Sequence, residues 1–313
     1  MSDGDFKVDF FCVGVAKAGT TSLHDLLALQ EGVRLPNRKE TNYFSFGLSG
    51  RPAFSGPLDQ TSVNETTITS LDEYIDDFGR TPGCLSGCLT GEVCPSYSLP
   101  GAAGNIHAHN PDARIIILLR EPVSRAFSNY QHLVRDGREH LSFEQALAAE
   151  EDRLGRGWEW FWGLRRNSLY FDSVKQYIDL FGPDNVRIVF FEDFVKDQEH
   201  HLKAVMAFIG LDPASARFEV VEANQSGVVS GRWKTAHRLL LAEGPVNSAL
   251  RGLLPQRVRK GLGALFKRVS TAKGELAPAT RTTLAREFED DLERLNELTG
   301  GRVDRWLGAR DVS

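Results

Sequence analysis

Two stretches of the chain place apolar residues one after another instead of alternating them with polar ones. The first is Phe10, Phe11, Cys12 and Val13 with Val15, and the second is the run of aliphatics at 115–119. Strands buried on both faces read in this way, whereas a strand with one wet face alternates. Each run gives way to a helix. Beyond Gly14 and Gly19 the apolar spacing becomes Leu23, Leu26, Leu27, one helical face over 20–30. Beyond Arg120, Pro122 stands where a helix tolerates proline, in its first turn. A strand feeding a helix twice over predicts an α/β fold, a single domain with a central parallel sheet flanked by helices.

Weaker signals fill in the order. An extended segment is expected at 32–36, a short helix at 71–78, a strand at 89–95 ending on Pro95, and a helix running to Phe181. A strand over 185–194 then closes on Glu192 and Asp193, and a helical segment occupies 278–306. Residues 46–70 are crowded with Gly, Ser, Thr and Pro and lack a period, which reads as a long surface loop expected to frame the substrate. No repeat or linker divides the chain, so residues 1–313 are read as one domain.

Composition narrows the classes. With 41% hydrophobic and 25% charged residues the 313-residue chain is an ordinary globular protein, and a net charge of −5 gives no basic field for nucleic acid. No run of about 18 apolar residues is present, and the start at Met1 lacks the basic and apolar parts of a signal peptide, so a cytoplasmic protein without a transmembrane segment is expected. Of four cysteines, Cys12 reads as a small buried hydrophobe. Cys84, Cys88 and Cys94 precede His107 and His109 without any C-x₂-C spacing, so reduced, structurally incidental thiols are expected and no metal.

The loop at 14–19 carries the first chemistry. A strand that runs through a glycine loop into a helix N-terminus presents free N–H groups and the positive end of a dipole, an anion site; the alternative is a structural turn with a solvated lysine. A nucleotide triphosphatase loop would have lysine after its second glycine, but here Thr20 follows Gly19 and the cation, Lys17, lies inside the loop. This arrangement resembles the 5′-phosphosulfate loop of sulfotransferases that use 3′-phosphoadenosine 5′-phosphosulfate (PAPS). The resemblance implies a P-loop nucleotide-kinase-like fold, with Lys17 on the oxygen bridging phosphate and sulfonate. It also implies that Ala18, Gly19, Thr20, Thr21 and Ser22 bind around the 5′-phosphate. Arg120, at the end of the second strand, and Ser128, eight residues on, are similar to that family's 3′-phosphate element. The loop containing Ser226, Gly227, Arg232 and Trp233 is similar to the one that closes over the nucleotide, and the ending through Trp306 resembles the bacterial and Golgi heparan-sulfate-type branch.

In that glycan-modifying branch a glutamate before an aromatic pair is the catalytic base. Glu40 before Tyr43 and Phe44 matches it; the other reading of Glu40 is a surface carboxylate paired with Arg38 or Lys39. The resemblance thus implies transfer of sulfonate from PAPS to a glycan, glycolipid or secondary-metabolite hydroxyl, leaving 3′,5′-adenosine bisphosphate (PAP). Lysine and arginine would carry the charge that Mg²⁺ carries in kinases. The branch often has Glu-Lys-Thr-Pro where this chain has Glu92, Val93, Cys94 and Pro95, so a second active-site lysine is missing.

His24, Tyr43, Glu92, Trp158, Trp162 and Tyr170 are candidates for acceptor contact. A lone helical His24 also reads as satisfied or exposed, and the cluster Trp158, Trp160, Phe161 and Trp162 reads equally as core or as the wall of an acceptor pocket. Between Asn224 and Lys273 ten Lys/Arg face a single acid, Glu243, so 224–273 is read as a basic region covering nucleotide and substrate. Its part 251–268 reads either as a solvated helix or as an amphipathic surface for peripheral membrane contact. The alternatives to a sulfotransferase are a phosphoryl-transfer kinase of similar fold and a non-catalytic nucleotide-binding module.

Overall fold

The structure, a computed structural model, describes residues 6–57, 63–79, 87–219, 228–229, 271–272 and 275–307. Five parallel strands form the central sheet: β1 (Phe10–Cys12), β2 (Val33–Arg34), β3 (Leu89–Val93), β4 (Arg114–Leu119) and β5 (Val186–Phe190), in the order β2-β3-β1-β4-β5. Helix α1 (Thr20–Ala28) follows β1, then α2 (Val63–Thr66), α3 (Leu71–Phe78), α4 (Ala102–His109) and α5 (Pro122–Arg135). The chain continues through α6 (Phe143–Gly155), α7 (Phe171–Phe181), α8 (Phe191–Phe194) and α9 (Gln198–Ile209). A short antiparallel pair, β6 (Val228–Val229) and β7 (Thr271–Ala272), precedes α10 (Pro278–Glu287), α11 (Glu289–Leu298) and α12 (Asp304–Leu307). The single α/β domain with a parallel sheet is the fold the two apolar runs imply.

The runs are apolar without alternation because both their faces are dry: Phe10, Phe11, Cys12 and Ile115 are completely buried, as are Ile116 and Leu118. Burying each such side chain contributes roughly 1.5–3 kcal/mol. Helices α1 and α9 pack together on the sheet, as do α4 and α7, and α10 lies on α5. Local chemistry sets the ends of the helices. Glu121 accepts from the Val123 and Ser124 N–H groups ahead of Pro122, and Ser142 with Gln145 forms a capping box on α6.

One segment differs from expectation. Residues 46–70 are not a featureless loop: among the described residues they hold a 3₁₀ turn at Gly47–Ser49 and helix α2. In the aromatic stretch at 158–162, Trp160–Trp162 forms a single 3₁₀ turn and Trp158 makes a bridge to Ser55. Cys88 is disulfide-bonded, which corrects the expectation of a reduced thiol there, while Cys12 and Cys94 are free and buried. Cys84 lies outside the described residues.

Candidate active site

Parallel pairing builds the floor of the site. β1 and β4 are neighbours in register, Phe10 beside Arg114 and Cys12 beside Ile116. The pairing continues past β1, with Val13 N–H donating to Ile116 O and Val15 N–H to Leu118 O, each at 2.9 Å. The loop after β1 and the loop after β4 therefore emerge side by side at the carboxyl edge, where open α/β sheets bind ligands. The contact that closes the junction is Arg120 Nη1 donating to Lys17 O at 3.0 Å, while the guanidinium stacks on the Phe191 ring at 4.4 Å.

Gly14 and Gly19 are needed for this approach. A Cβ on Gly14 would lie 2.5 Å from Leu118 N, inside any allowed contact. Gly19, at φ 92°, takes the left-handed conformation at the N-terminus of α1, and no side chain caps that terminus. Lys17 itself has φ 73°, unusual for a residue with a side chain, and this turns its backbone carbonyl to Arg120.

These elements open on a cleft of about 590 Å³. Five cationic side chains line it, Lys17, Lys39, Arg120, Arg135 and Arg138, against the two carboxylates Glu40 and Glu159, so the cleft as a whole attracts anions. Gly19, Thr20, Thr21, Ser22 and Ser128 share the lining, and Ser128 comes from α5, three per cent exposed. Burial and the neighbouring arginines, Arg135 foremost, lower the Lys17 pKa to about 8. Burial also lowers that of Arg120.

Glu40 stands opposite. Its side chain is 43% exposed, but into the cleft, and Lys39 Nζ lies 3.8 Å from its carboxylate. Burial between the cleft walls raises its pKa, outweighing the charges of Lys39 and Lys17, with Glu159 reinforcing the rise. The segment carrying Glu40 is clamped on both sides. Lys39 Nζ donates to Thr21 Oγ1 at 2.5 Å, and the Thr41 hydroxyl and N–H donate to Glu92 at 2.6 and 3.2 Å.

The remaining sequence candidates fall elsewhere. Ala18 is fully buried behind the loop. Glu92 is completely buried, accepting also from the Tyr74 and Tyr97 hydroxyls at 2.7 and 2.9 Å, and burial raises its pKa to about 7. Tyr43 stacks on Tyr74 in that aromatic core, and Tyr170 is buried with its hydroxyl donating to Arg120 O. His24 bonds to its neighbour Asp25. Trp162 is buried beneath the Arg138 guanidinium at 4.4 Å, with Trp158 packed edge-on against it. None of these seven lines the cleft. Val93, where the resemblance led one to expect lysine, is buried in the core, and the cation beside Glu40 is Lys39. Ser226, Gly227, Arg232, Trp233 and the segment 251–268 lie outside the described residues.

Several cleft residues were not singled out from sequence. His132 and Arg135 follow Ser128 at i+4 and i+7 on α5, a spacing that was legible once the helix was extended to its end. Arg138 and Glu159 had no such local signal, whereas Trp160 and Phe161 belong to the aromatic cluster at 158–162 read from sequence as core or as an acceptor wall. Glu159 pairs with Arg138, and the Trp160 indole Nε1 is buried without an acceptor. Among the described residues no group of His, Cys, Asp and Glu could hold a metal ion, and no helix is long and apolar enough to cross a membrane.

Comparison with known proteins agrees with this geometry. A family model described as "Sulfotransferase family" matches residues 9–215. The chain is 30% identical over 201 residues to human heparan sulfate glucosamine 3-O-sulfotransferase 6, covering 64% of this chain and 51% of that protein. It is 21% identical over 254 residues to mouse carbohydrate sulfotransferase 15, covering 68% and 45%. The chain spans about half the length of the curated relatives it matches. Among solved structures it superposes on a sulfotransferase from Alicyclobacillus acidocaldarius with a TM-score of 0.74 and 30% identity, over 96% of this chain and 99% of that one. With the match spanning both strand-to-helix junctions that build the cleft, the chain belongs to the sulfotransferase family.

Proposed function

We propose that this cleft transfers a sulfonate group from PAPS to a hydroxyl of a glycan, glycolipid or secondary-metabolite acceptor. The observation that carries the reading is the convergence of Lys17, Glu40 and the Arg120–Ser128 pair, from three separate stretches of chain, on one cation-lined cleft. The residues fit such a donor. The uncapped α1 terminus and the Thr20, Thr21 and Ser22 side suit the 5′-phosphate, and Arg120 with Ser128 suits the 3′-phosphate. Bound there, PAPS supplies a sulfonate already activated as a mixed anhydride with its 5′-phosphate.

The protein then has two tasks. Glu40 takes the proton of the acceptor hydroxyl as that oxygen bonds to sulfur, and its raised pKa makes it a stronger base than an exposed carboxylate. Lys17 neutralises the charge left on the phosphate oxygen as the bond from that oxygen to sulfur breaks. Held by Arg120 and Ser128, the donor stays in line with the incoming oxygen. Trp160, Phe161 and the Glu159–Arg138 pair are left to form the acceptor wall.

Incubation with ³⁵S-labelled PAPS and a broad panel of hydroxyl acceptors tests the reading. Wild type is expected to label at least one acceptor, and Glu40→Gln none, with PAP binding intact in both. Equal rates from the two proteins would remove Glu40 as the base, and label confined to nucleotide with every acceptor would remove the activity.

A further inference from the structure

The cleft face of α5 carries more than Ser128. Residues four and seven positions further on lie on the same helical face, and both His132 and Arg135 line the cleft there. They are held in a closed arrangement. Arg135 Nη2 donates to His132 Nδ1, Arg135 Nε donates to Asp136 Oδ1 at 3.1 Å, and Asp136 Oδ2 lies 3.2 Å from His132 Nε2. Since the guanidinium can only donate, Nδ1 must be the bare nitrogen and Nε2 the one that carries hydrogen toward Asp136. His132 is thus a neutral imidazole whose one basic nitrogen is covered by an arginine.

Its surroundings favour that state. Lys17 from the phosphate loop, Arg135 on its own helix and Arg138 just beyond it all oppose a positive ring, and Asp136 supports one. The Phe161 ring meets the imidazole edge-on at 5.3 Å. Burial first, then the charge of Lys17, holds His132 far below the usual imidazole range.

An anion entering the cleft weakens the cationic opposition to a protonated ring. It offers the guanidinium a charged, bidentate acceptor in place of a neutral imidazole nitrogen, and it offsets the charge of Lys17. We propose that His132 and Arg135 form a proton-coupled anion contact: an anionic group of the bound nucleotide draws Arg135 off His132 Nδ1, and the nitrogen so uncovered takes a proton from solvent. Asp136 stays on Nε2 and stabilises the imidazolium. This rests on the reading of the cleft as a site for PAPS and PAP. Its consequence is that nucleotide binding tightens as pH falls and that product leaves more readily as pH rises.

Isothermal titration of wild type and His132→Gln with PAP, in buffers of different ionisation enthalpy near pH 7, tests it. The glutamine can still accept from Arg135 through its carbonyl and donate to Asp136 through its amide, but it does not titrate. Wild type is expected to take up several tenths of a proton more than the variant per PAP bound. Its affinity should rise at least threefold more than that of the variant between pH 8 and 6.5. The phosphates of PAP and the Lys17 ammonium titrate in both proteins and cancel in the difference. Equal proton uptake would overturn the proposal, as would unchanged PAP affinity in Arg135→Gln, where a loss of about tenfold is expected. Should His132→Gln fail to fold, the imidazole C2–H resonance of His132 in wild type decides instead: its titration midpoint should rise on adding PAP, and a fixed midpoint would contradict the coupling. Absence of any PAP binding would overturn the donor reading, and the same proton-uptake measurement with inorganic pyrophosphate would then judge the anion contact by itself.

Discussion

Lys17 and Arg120 meet across the floor of the cleft because two hydrogen-bonded strands carry them there, whereas Glu159 and Trp160 reach its wall through a chain that turns back after α6. The floor depends on strand register and on two glycines. The wall depends on contacts that are remote in sequence: Ser55 N–H donates to Gly157 O at 2.8 Å, Glu159 N–H donates to Ser55 O at 3.3 Å, and Glu159 pairs with Arg138. The loop at 46–70 thereby pins the wall rather than hanging free of the fold. A floor made of backbone register is hard to vary without losing the sheet, while a wall made of loop contacts can change residue by residue. On this account donor chemistry resides in the floor and acceptor choice in the wall.

Removing a floor cation is expected to have the largest effect. Lys17→Ala should lower turnover by about 10² or more, the scale of deleting one preorganised donor to developing charge, with the fold intact by circular dichroism. Near-normal turnover in the folded variant would mean that the loop binds without taking part in catalysis. A wall substitution should separate binding from chemistry. Trp160→Ala is expected to raise the acceptor KM by roughly tenfold, about 1.4 kcal/mol, while leaving PAP affinity within twofold. A fall in PAP affinity as large as the KM change would erase the division between floor and wall.

A third effect, on stability and not on turnover, concerns Glu92, which lies behind the cleft and holds the Glu40 segment through Thr41. Its folded pKa of about 7 lies above the ordinary carboxylate value of 4.5 because burial disfavours the charge more than its hydroxyl donors favour it. The folded state therefore holds a proton that the unfolded state releases between those values, and stability is lost as pH rises through that window. Glu92→Gln mimics the protonated form, so the stability of wild type relative to the variant should fall by up to roughly 2–3 kcal/mol from pH 5 to pH 8, at 1.4 kcal/mol per unit. A constant difference across that range in urea unfolding would show that Glu92 does not titrate in the fold.

The same division explains what could be read from the chain. The floor was legible because unbroken apolar runs, a misplaced loop lysine and an Arg-to-Ser spacing of eight are all local patterns. His132 and Arg135 were legible in principle from helical spacing alone. Arg138 and Glu159 were not, and Trp160 was legible only as part of an aromatic cluster that read equally as core, since nothing local says that residue 55 will pair with residue 158. Tyr43 and Glu92 entered through the resemblance of their segments to the family, yet Tyr43 stacks on Tyr74 in the aromatic core and the Thr41, Tyr74 and Tyr97 hydroxyls hold the Glu92 carboxylate there. The expected ion pair of Glu40 and its place on the cleft turned out to be compatible, because Lys39 bridges it to Thr21.

The central claim is that Arg120 and Ser128 read a 3′-phosphate beside the 5′-phosphate loop. Thermal unfolding with saturating PAP, AMP and ATP tests it most directly, since a ligand stabilises the fold in proportion to its affinity for the native state. The account predicts a rise of several degrees with PAP and far smaller shifts with AMP and ATP; equal shifts with all three nucleotides would contradict it.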